Sequence, residues 1–309
     1  MPTKYVLPPE WEWPITIALF IAGVASGAYA TMGLIHFAGD KRDQAVAHRL
    51  AFVPLPLMLI VPLLLIVDLG QPGRFINLLI RNPAAAERPG LLMFNPNSPM
   101  NWGSWAMVLF GAFAAVAFAD ALHHSGRIRF SWLEPVSHNI VVLAIGELLS
   151  IVVSGYSGVL VNVTNQGVWS DTWLMGGLFI CFSELSGMAV ALIVSDRMGA
   201  ARTSAALRTA LFSAAAITMV FLVVFLAALA GQQDGSLGAL IASLHEFVAP
   251  VFWIGAVGLA LLLPLLALSP RPLVRIPNGS LALIGVLVLV GVLAFRYAMF
   301  FSAISFVQS

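Results

Sequence analysis

LALIGVLVLVGVLAFRYAMFFSAI (281–304) decides the fold. About 20 largely apolar residues, rising 1.5 Å each, cross the hydrocarbon core of a bilayer, and this stretch is that long with a single charge, Arg296. A guanidinium at that depth costs at least about a few kcal/mol unless carbonyls, a carboxylate or a polar ligand compensate it. Outward from this segment, 60% of the 309 residues are hydrophobic and only 9% are charged, a balance that no water-soluble domain of this length shows. The chain reads as all-α and polytopic, one integral membrane domain over residues 1–309.

The same window finds eight spans, near 14–38, 48–69, 101–122, 136–163, 172–196, 205–231, 245–269 and 280–303. The first, third, fifth and seventh connections carry ten basic residues: Lys41, Arg42, Arg49, Arg127, Arg129, Arg197, Arg202, Arg208, Arg271 and Arg275. The N-terminal segment and the other connections carry four: Lys4, Arg74, Arg81 and Arg88. The positive-inside rule then predicts both termini on the non-cytoplasmic side. The N-terminal MPTKYVLPPEWEWP lacks a basic start and a cleavage site, so the first span is expected to be retained, with Trp11 and Trp13 as interface anchors.

Residues 70–100, rich in Pro, Gly and Asn, predict a folded external loop suited to contact a partner subunit. An echo between LFIAGVASGA (19–28) and LFICFSELSGM (178–188) fits a division into two four-helix bundles.

Polar residues gather towards the non-cytoplasmic face. Tyr156 and Arg296 each stand seven residues before the predicted end of their spans, roughly 10 Å deep. Asp68 closes the second span, Asn101, Trp102 and Trp105 open the third, and His245 with Glu246 opens the seventh. Each also has a plainer reading: belt tryptophans, an interhelical tyrosine, an interfacial histidine, a solvated aspartate. Arg296 does not, and the group reads as a shallow pocket.

Deeper lie Glu147 and Glu184, where a carboxyl is tolerated as the neutral acid or beside a cation. Glu147 shares a polar stripe with Ser150 and Ser154, and Asp120 stands near the opposite surface. Together, Asp120, Glu147 and Glu184 are candidates for a proton path, against a plainer role as interhelical glue.

A net charge of +1 supplies no basic stripe, which argues against nucleic acid. The lone Cys181 makes no intramolecular disulfide, and no Cys or His cluster has metal-ligand spacing, so no metal site is expected. The histidines, His36, His48, His123, His124, His138 and His245, stand at span ends or in connections, which predicts no bis-histidine heme in the bilayer core.

VDLGQPGRF (67–75), SPMNWGSW (98–105), YSGVLV (156–161), FRYAMFFSA (295–303) and AGVASGAY (22–29) together resemble the recurring motifs of the NrfD/PsrC family. These are integral membrane subunits of polysulfide reductase and related complexes, and the resemblance covers essentially the whole sequence. It implies an eight-helix, heme-free subunit of a bacterial cytoplasmic (inner) membrane that binds menaquinone or ubiquinone. It further implies docking to a four-cluster ferredoxin-like iron-sulfur subunit, itself joined to a molybdopterin catalytic subunit.

By motif position, Tyr156 matches the tyrosine at the quinone head group, Asp68 the acid after the second span, and Arg296 the arginine before the terminal aromatics. The polar partner that some relatives place at the start of the first span is missing from WEWPITIALF (11–20), which leaves Glu12, Asn101, Trp102 or His245 as alternatives.

Quinone chemistry needs donors to the carbonyl oxygens, a titratable group and an apolar slot. Tyr156 can donate to one oxygen, Arg296 can stabilise negative charge or hold Asp68 ionised, and Trp102 can flank the ring. The expected function is electron exchange between the quinone pool and the iron-sulfur partner, with a proton-translocating variant. The rivals are a quinol-oxidising or proton-conducting subunit of an alternative respiratory complex III, a transporter, and a structural anchor.

Overall fold

The computed structural model describes residues 13–80, 94–128, 139–164, 166, 169–231, 248–273 and 280–308, with side chains through residue 301. Eight helices in it are long and apolar enough to cross a membrane. They are α1 (Trp13–Ala38), α2 (Gln44–Asp68), α3 (Pro99–His124), α4 (Ile140–Asn162), α5 (Met175–Arg197), α6 (Ala201–Ala230), α7 (Val248–Ala267) and α8 (Leu281–Gln308). No strand occurs among the described residues.

Two differences from the sequence expectation have local causes. The second span begins earlier, because Gln44–Leu50 already coils; a turn at 51–53 then hands over to Pro54–Asp68, where Pro54 sits in the first turn that tolerates it. In α7 the stretch Val251–Leu262 is π-helical, a wider coil than α-helix. It lies backbone to backbone on α8, since a side chain at Gly291 would run into Ala260.

Helix ends are fixed by their own sequence. Ser98 caps α3 by accepting from Asn101 N–H, ahead of Pro99 at the first helical position. The Asn139 side-chain carbonyl oxygen accepts from Val141 and Val142 N–H and starts α4. Gly199, at φ +67°, makes the tight turn from α5 to α6.

Packing forms two rings. In the first, α1 packs on α2 and α4, α2 on α3, and α3 on α4; in the second, α5 packs on α6 and α8, α6 on α7, and α7 on α8. The rings join mainly through α1 against α5, with α4 also on α5. There Gly27 and Gly187, the glycines of the two echoing Ser-Gly pairs, put their backbones in direct contact. Small residues are what such a close crossing requires in lipid, where packing rather than hydrophobic exclusion holds helices together.

The end of the bundle at which α1, α3, α5 and α7 finish and α2, α4, α6 and α8 begin is called the basic end; at the other, the terminal end, α1 begins and α8 finishes. At the basic end Arg202 pairs with Asp40, and Thr203 Oγ1 donates to Asp43 Oδ1 at 2.6 Å, tying the start of α6 to the α1–α2 connection. At the same end Asp196 of α5 accepts from the Ala282 N–H and caps α8 at 3.0 Å.

Candidate functional site

Arg296 is fully buried. Its Nη1 donates to Ser157 Oγ at 2.7 Å and its Nη2 to Ser183 Oγ at 2.8 Å, with the Phe179 carbonyl at 3.5 Å. The guanidinium carbon also stands 4.1 Å from the centre of the Phe179 ring. A desolvated cation–π contact of this kind contributes about 2 kcal/mol, so hydroxyls and a ring face, not a carboxylate, meet the Nη side of the charge, while Nε is buried without a hydrogen-bond partner among the described residues. Asp68 is not among its partners, which corrects the expectation that Arg296 holds that acid ionised.

Above Arg296 towards the terminal end, the α4–α5 connection folds inward. Trp169 is buried and donates its indole N–H to the Met299 carbonyl at 2.6 Å, with Phe300 edge-on at 6.0 Å. The Asn162 amide holds the connection down through the Trp169 and Thr172 carbonyls. Nothing in the sequence marked Trp169 for this role, since its partner lies on the last helix.

Tyr156 is one residue from Ser157, and successive helical residues leave the axis about 100° apart. Its ring therefore turns to another side of α4 and rests on α3, where any side chain at Gly103 would occupy the same space. The shared depth of Tyr156 and Arg296 holds, because Arg296 reaches the neighbouring serine. A shared cleft does not form: the guanidinium points into the core and the phenol to the flank. The Tyr156 hydroxyl has no hydrogen-bond partner among the described residues, although the ring is largely buried.

Between α2 and α3 lies an apolar cavity of about 310 Å³. Its walls include Met58 and Pro62 from α2 and Met107 and Gly111 from α3, and its roof is Phe75, Leu78 and Leu79 of the 3₁₀ turn Pro72–Leu78 and the residue after it. Exposed Leu59, Phe75 and Val108 mark where it opens to the lipid-facing surface. Tyr156 is not in the lining; it stands on Gly103, one turn before Met107.

The residues expected to touch a ligand hold the roof instead. Asn101 Nδ2 donates to the Leu78 and Leu79 carbonyls at 2.7 and 3.1 Å, and Trp105 Nε1 donates to Leu79 at 3.0 Å. Trp102 is exposed, donates to the Pro96 carbonyl and packs edge-on with Phe94. Asp68 ends α2 two residues past Ile66 of the cavity wall. Glu12, His245 and Glu246 lie outside the described residues, as does most of the 81–100 part of the external loop.

The deep acids converge. Glu147 of α4 and Glu184 of α5 line one cavity of about 270 Å³ together with Thr31 of α1. Glu147 Oε1, Glu184 Oε1 and Thr31 Oγ1 are all buried without a hydrogen-bond partner among the described residues, an arrangement costly enough to call for water or an ion.

Asp120 lines a second, smaller cavity at the basic end with His36, His48 and Tyr29. The Tyr29 hydroxyl lies against Gly146, next in sequence to Glu147, so it stands between the two cavities. Towards the terminal end, Ser154 donates to Ser26 at 2.8 Å, which donates to the Ala22 carbonyl. Tyr29, Thr31, Ser26 and Ser183 were missed in the sequence. The only hints were Ser26 and Tyr29, three residues apart in AGVASGAYAT, and Ser183 next to Glu184.

The fold and these cavities define a multi-pass helical membrane protein with a lipid-open apolar slot on one flank and a string of buried polar groups through its core. The chain belongs to the polysulphide reductase, NrfD family, which matches residues 6–308. It is 25% identical to Protein NrfD of Escherichia coli (strain K12), over 93% of this protein and 92% of that one. To the C subunit of polysulfide reductase from Wolinella succinogenes it is 25% identical over 96% and 95% respectively.

Proposed function

We propose that this protein is the membrane subunit of a respiratory oxidoreductase, exchanging electrons between the quinone pool and an iron-sulfur partner. The observation that carries this reading is the lipid-open apolar slot between α2 and α3, one turn along α3 from Gly103, on which the Tyr156 ring rests. That slot is of the size and lining a hydrophobic ring and tail occupy, and a phenol hydroxyl that no described residue engages can donate to a ligand oxygen.

In this reading Tyr156 donates to a quinone carbonyl, Asp68 at the slot's rim exchanges protons, and Asn101 with Trp105 fixes the roof. Arg296 acts as a positioning residue: it clamps Ser157 and thereby the turn of α4 that presents Tyr156. The bound quinone, menaquinone or ubiquinone, supplies the two-electron chemistry. Its electrons come from a ferredoxin-like iron-sulfur subunit joined to a molybdopterin subunit, docked on the 70–100 side. The names of both relatives and the extent of the match support that assembly. The positive charge of the basic end supports its placement on the cytoplasmic side of a bacterial inner membrane.

The convergence of Glu147, Glu184 and Thr31 favours a second element, proton translocation. Asp120 and Tyr29 lead from the basic end to Glu147, and Glu184 adjoins Ser183, the partner of Arg296. A proton could pass along these groups through water in the two cavities.

Quinone-analogue fluorescence quenching on the purified complex tests the site. Gly111 lies in the wall, and a Cβ added there would have nothing within 4 Å, so Gly111→Leu fills the slot without a clash. It is expected to weaken analogue binding at least about tenfold, equivalent to about 1.4 kcal/mol. Tyr156→Phe should lower turnover about a hundredfold, the lower end of what a positioned proton donor contributes, with the complex intact on size exclusion. Analogue binding unchanged in Gly111→Leu, or near-normal turnover in Tyr156→Phe, would remove this slot and this tyrosine from the site.

A further inference from the structure

We propose that His48, Asp120 and His124 form a binding site for a divalent transition-metal ion, with zinc the best chemical match, between α2 and α3 at the basic end. This does not rest on the quinone reading.

One ligand atom from each of the three residues can be chosen so that all lie within 4.8 Å of one another. Asp120 Oδ2 is 3.9 Å from His48 Nε2 and 3.5 Å from His124 Nδ1. Around tetrahedral zinc, bonds of about 2.0–2.1 Å to nitrogen and oxygen place ligand atoms roughly 3.3 Å apart. The observed spacings are somewhat longer and are reached by rotation of the side chains, without movement of the helices.

The scaffold is suited to hold such a set. Asp120 and His124 are four residues apart on α3 and so project from one face, and His48 arrives from the Gln44–Leu50 coil of α2. The His48 and His124 rings stack, with centres 4.1 Å apart and planes 22° apart, so an ion held by both would turn one ring out of the stack to bring its in-plane lone pair round. His124 Nδ1 also lies 3.1 Å from the Asp120 carbonyl, a contact that metal binding would exchange for the ion.

Donor chemistry narrows the ion. Two imidazoles and one carboxylate suit zinc, nickel or copper, whereas magnesium and calcium take oxygen ligands almost exclusively. Three protein ligands leave a fourth position. The adjoining cavity of about 40 Å³, lined by Asp120, His48, His36 and Tyr29, has room for a water there. An ion so placed would sit at the mouth of the route from the basic end to Tyr29, and would staple α2 to α3.

Sequence spacing hid the site because His48 and Asp120 lie on different helices. The expectation of no metal cluster was an inference from local spacing alone.

Tag-free, full-length protein stripped with chelator and titrated with cobalt(II) alone tests the proposal. One equivalent per protein molecule should bind, with visible ligand-field bands that zinc abolishes. His48→Asn, Asp120→Asn and His124→Asn should each weaken binding at least about tenfold, within the 10–100-fold range that follows loss of groups supporting a metal site. His123→Asn, adjacent in sequence but outside the set, should leave binding unchanged. His124 is partly exposed at a helix end, so its variant keeps the test available even if His48→Asn fails to fold. No stoichiometric cobalt in the wild type, or equal losses in His123→Asn and His124→Asn, would overturn the site.

Discussion

The α1–α5 seam and the α2–α3 flank contain similar residues in opposite circumstances. In α1, 78% of the span lies inside the protein, against 28% for α2 and for α3. The seam is closed by glycine-to-glycine contact; beside it the Arg296 Nη atoms are held on two serines and Ser26 on Ser154, while Glu147, Glu184 and Arg296 Nε have buried atoms without a partner among the described residues. The flank is open to lipid and roofed by a 3₁₀ turn, and the hydroxyl of Tyr156, which rests on α3 from α4, is unpartnered among the described residues. The contrast teaches that a polar residue in a membrane span declares its role by what surrounds it. A deep arginine with two hydroxyls and a ring face turned towards it holds structure, while a tyrosine hydroxyl that no described residue engages is available to a ligand.

The largest expected effect comes from making one change in both regions. Gly187→Leu drives a side chain into the backbone of Gly27, where neither helix can yield. Overpacking of a core costs about 1–3 kcal/mol even when side chains can shift, so this variant should yield no monodisperse protein on size exclusion. Gly111→Leu, on the flank, should elute and melt as the wild type does. Equal behaviour of the two would show that the seam is not the tighter region.

Next in size is Arg296. Truncation to Ala leaves a cavity and strips two serines of their partner, and large-to-small core changes cost about 2–5 kcal/mol. Arg296→Met keeps most of the volume and removes the buried charge, an exchange that is often neutral or stabilising. Thermal unfolding in detergent should therefore rank wild type and Met close together and Ala well below. If Arg296 acts on the quinone only through Ser157 and Tyr156, Arg296→Met lowers kcat with KM for quinone little changed. A large rise in KM with kcat intact would instead make the guanidinium a ligand contact.

Much of the architecture was legible because it depends on one-dimensional facts. Apolar runs set the eight spans, and the Ser-Gly pairs that echo one another in α1 and α5 meet where the two four-helix rings join. The polar cluster was legible in depth but not in direction. Rise per residue fixes that Tyr156 and Arg296 share a level, whereas the rotation of each helix, which sends one to the flank and the other to the core, is set by tertiary packing. The same limit hid Trp169, whose acceptor is on α8, and the His48–Asp120 meeting. It also hid that Asn101 and Trp105 bind loop carbonyls: a donor type is readable in sequence, its acceptor is not.

A smaller effect, confined to function, is expected from the acids at the seam. Glu147→Gln and Glu184→Gln preserve shape, so both should fold. If the shared cavity carries protons, each variant in proteoliposomes should abolish the pH change across the membrane that accompanies turnover, while electron transfer persists. An undiminished pH response in Glu147→Gln would leave these carboxyls as interhelical glue.

The smallest effect belongs to the basic end, where the seam meets water. The Thr203 hydroxyl, the Asp40 backbone N–H and, more weakly, Arg202 hold the Asp43 carboxyl below its ordinary value of 3.8. A depressed folded-state pKa contributes stability that is present above the unfolded value and is lost as pH falls through the folded one. Removing the leading cause with Thr203→Val should therefore lower the melting temperature slightly at neutral pH, with the difference from wild type disappearing as pH falls below about 4. Because this carboxyl is close to solvent, the difference should also shrink in high salt. A salt-insensitive loss of stability at neutral pH would mean that Thr203 matters for packing α6 rather than for the charge it steadies.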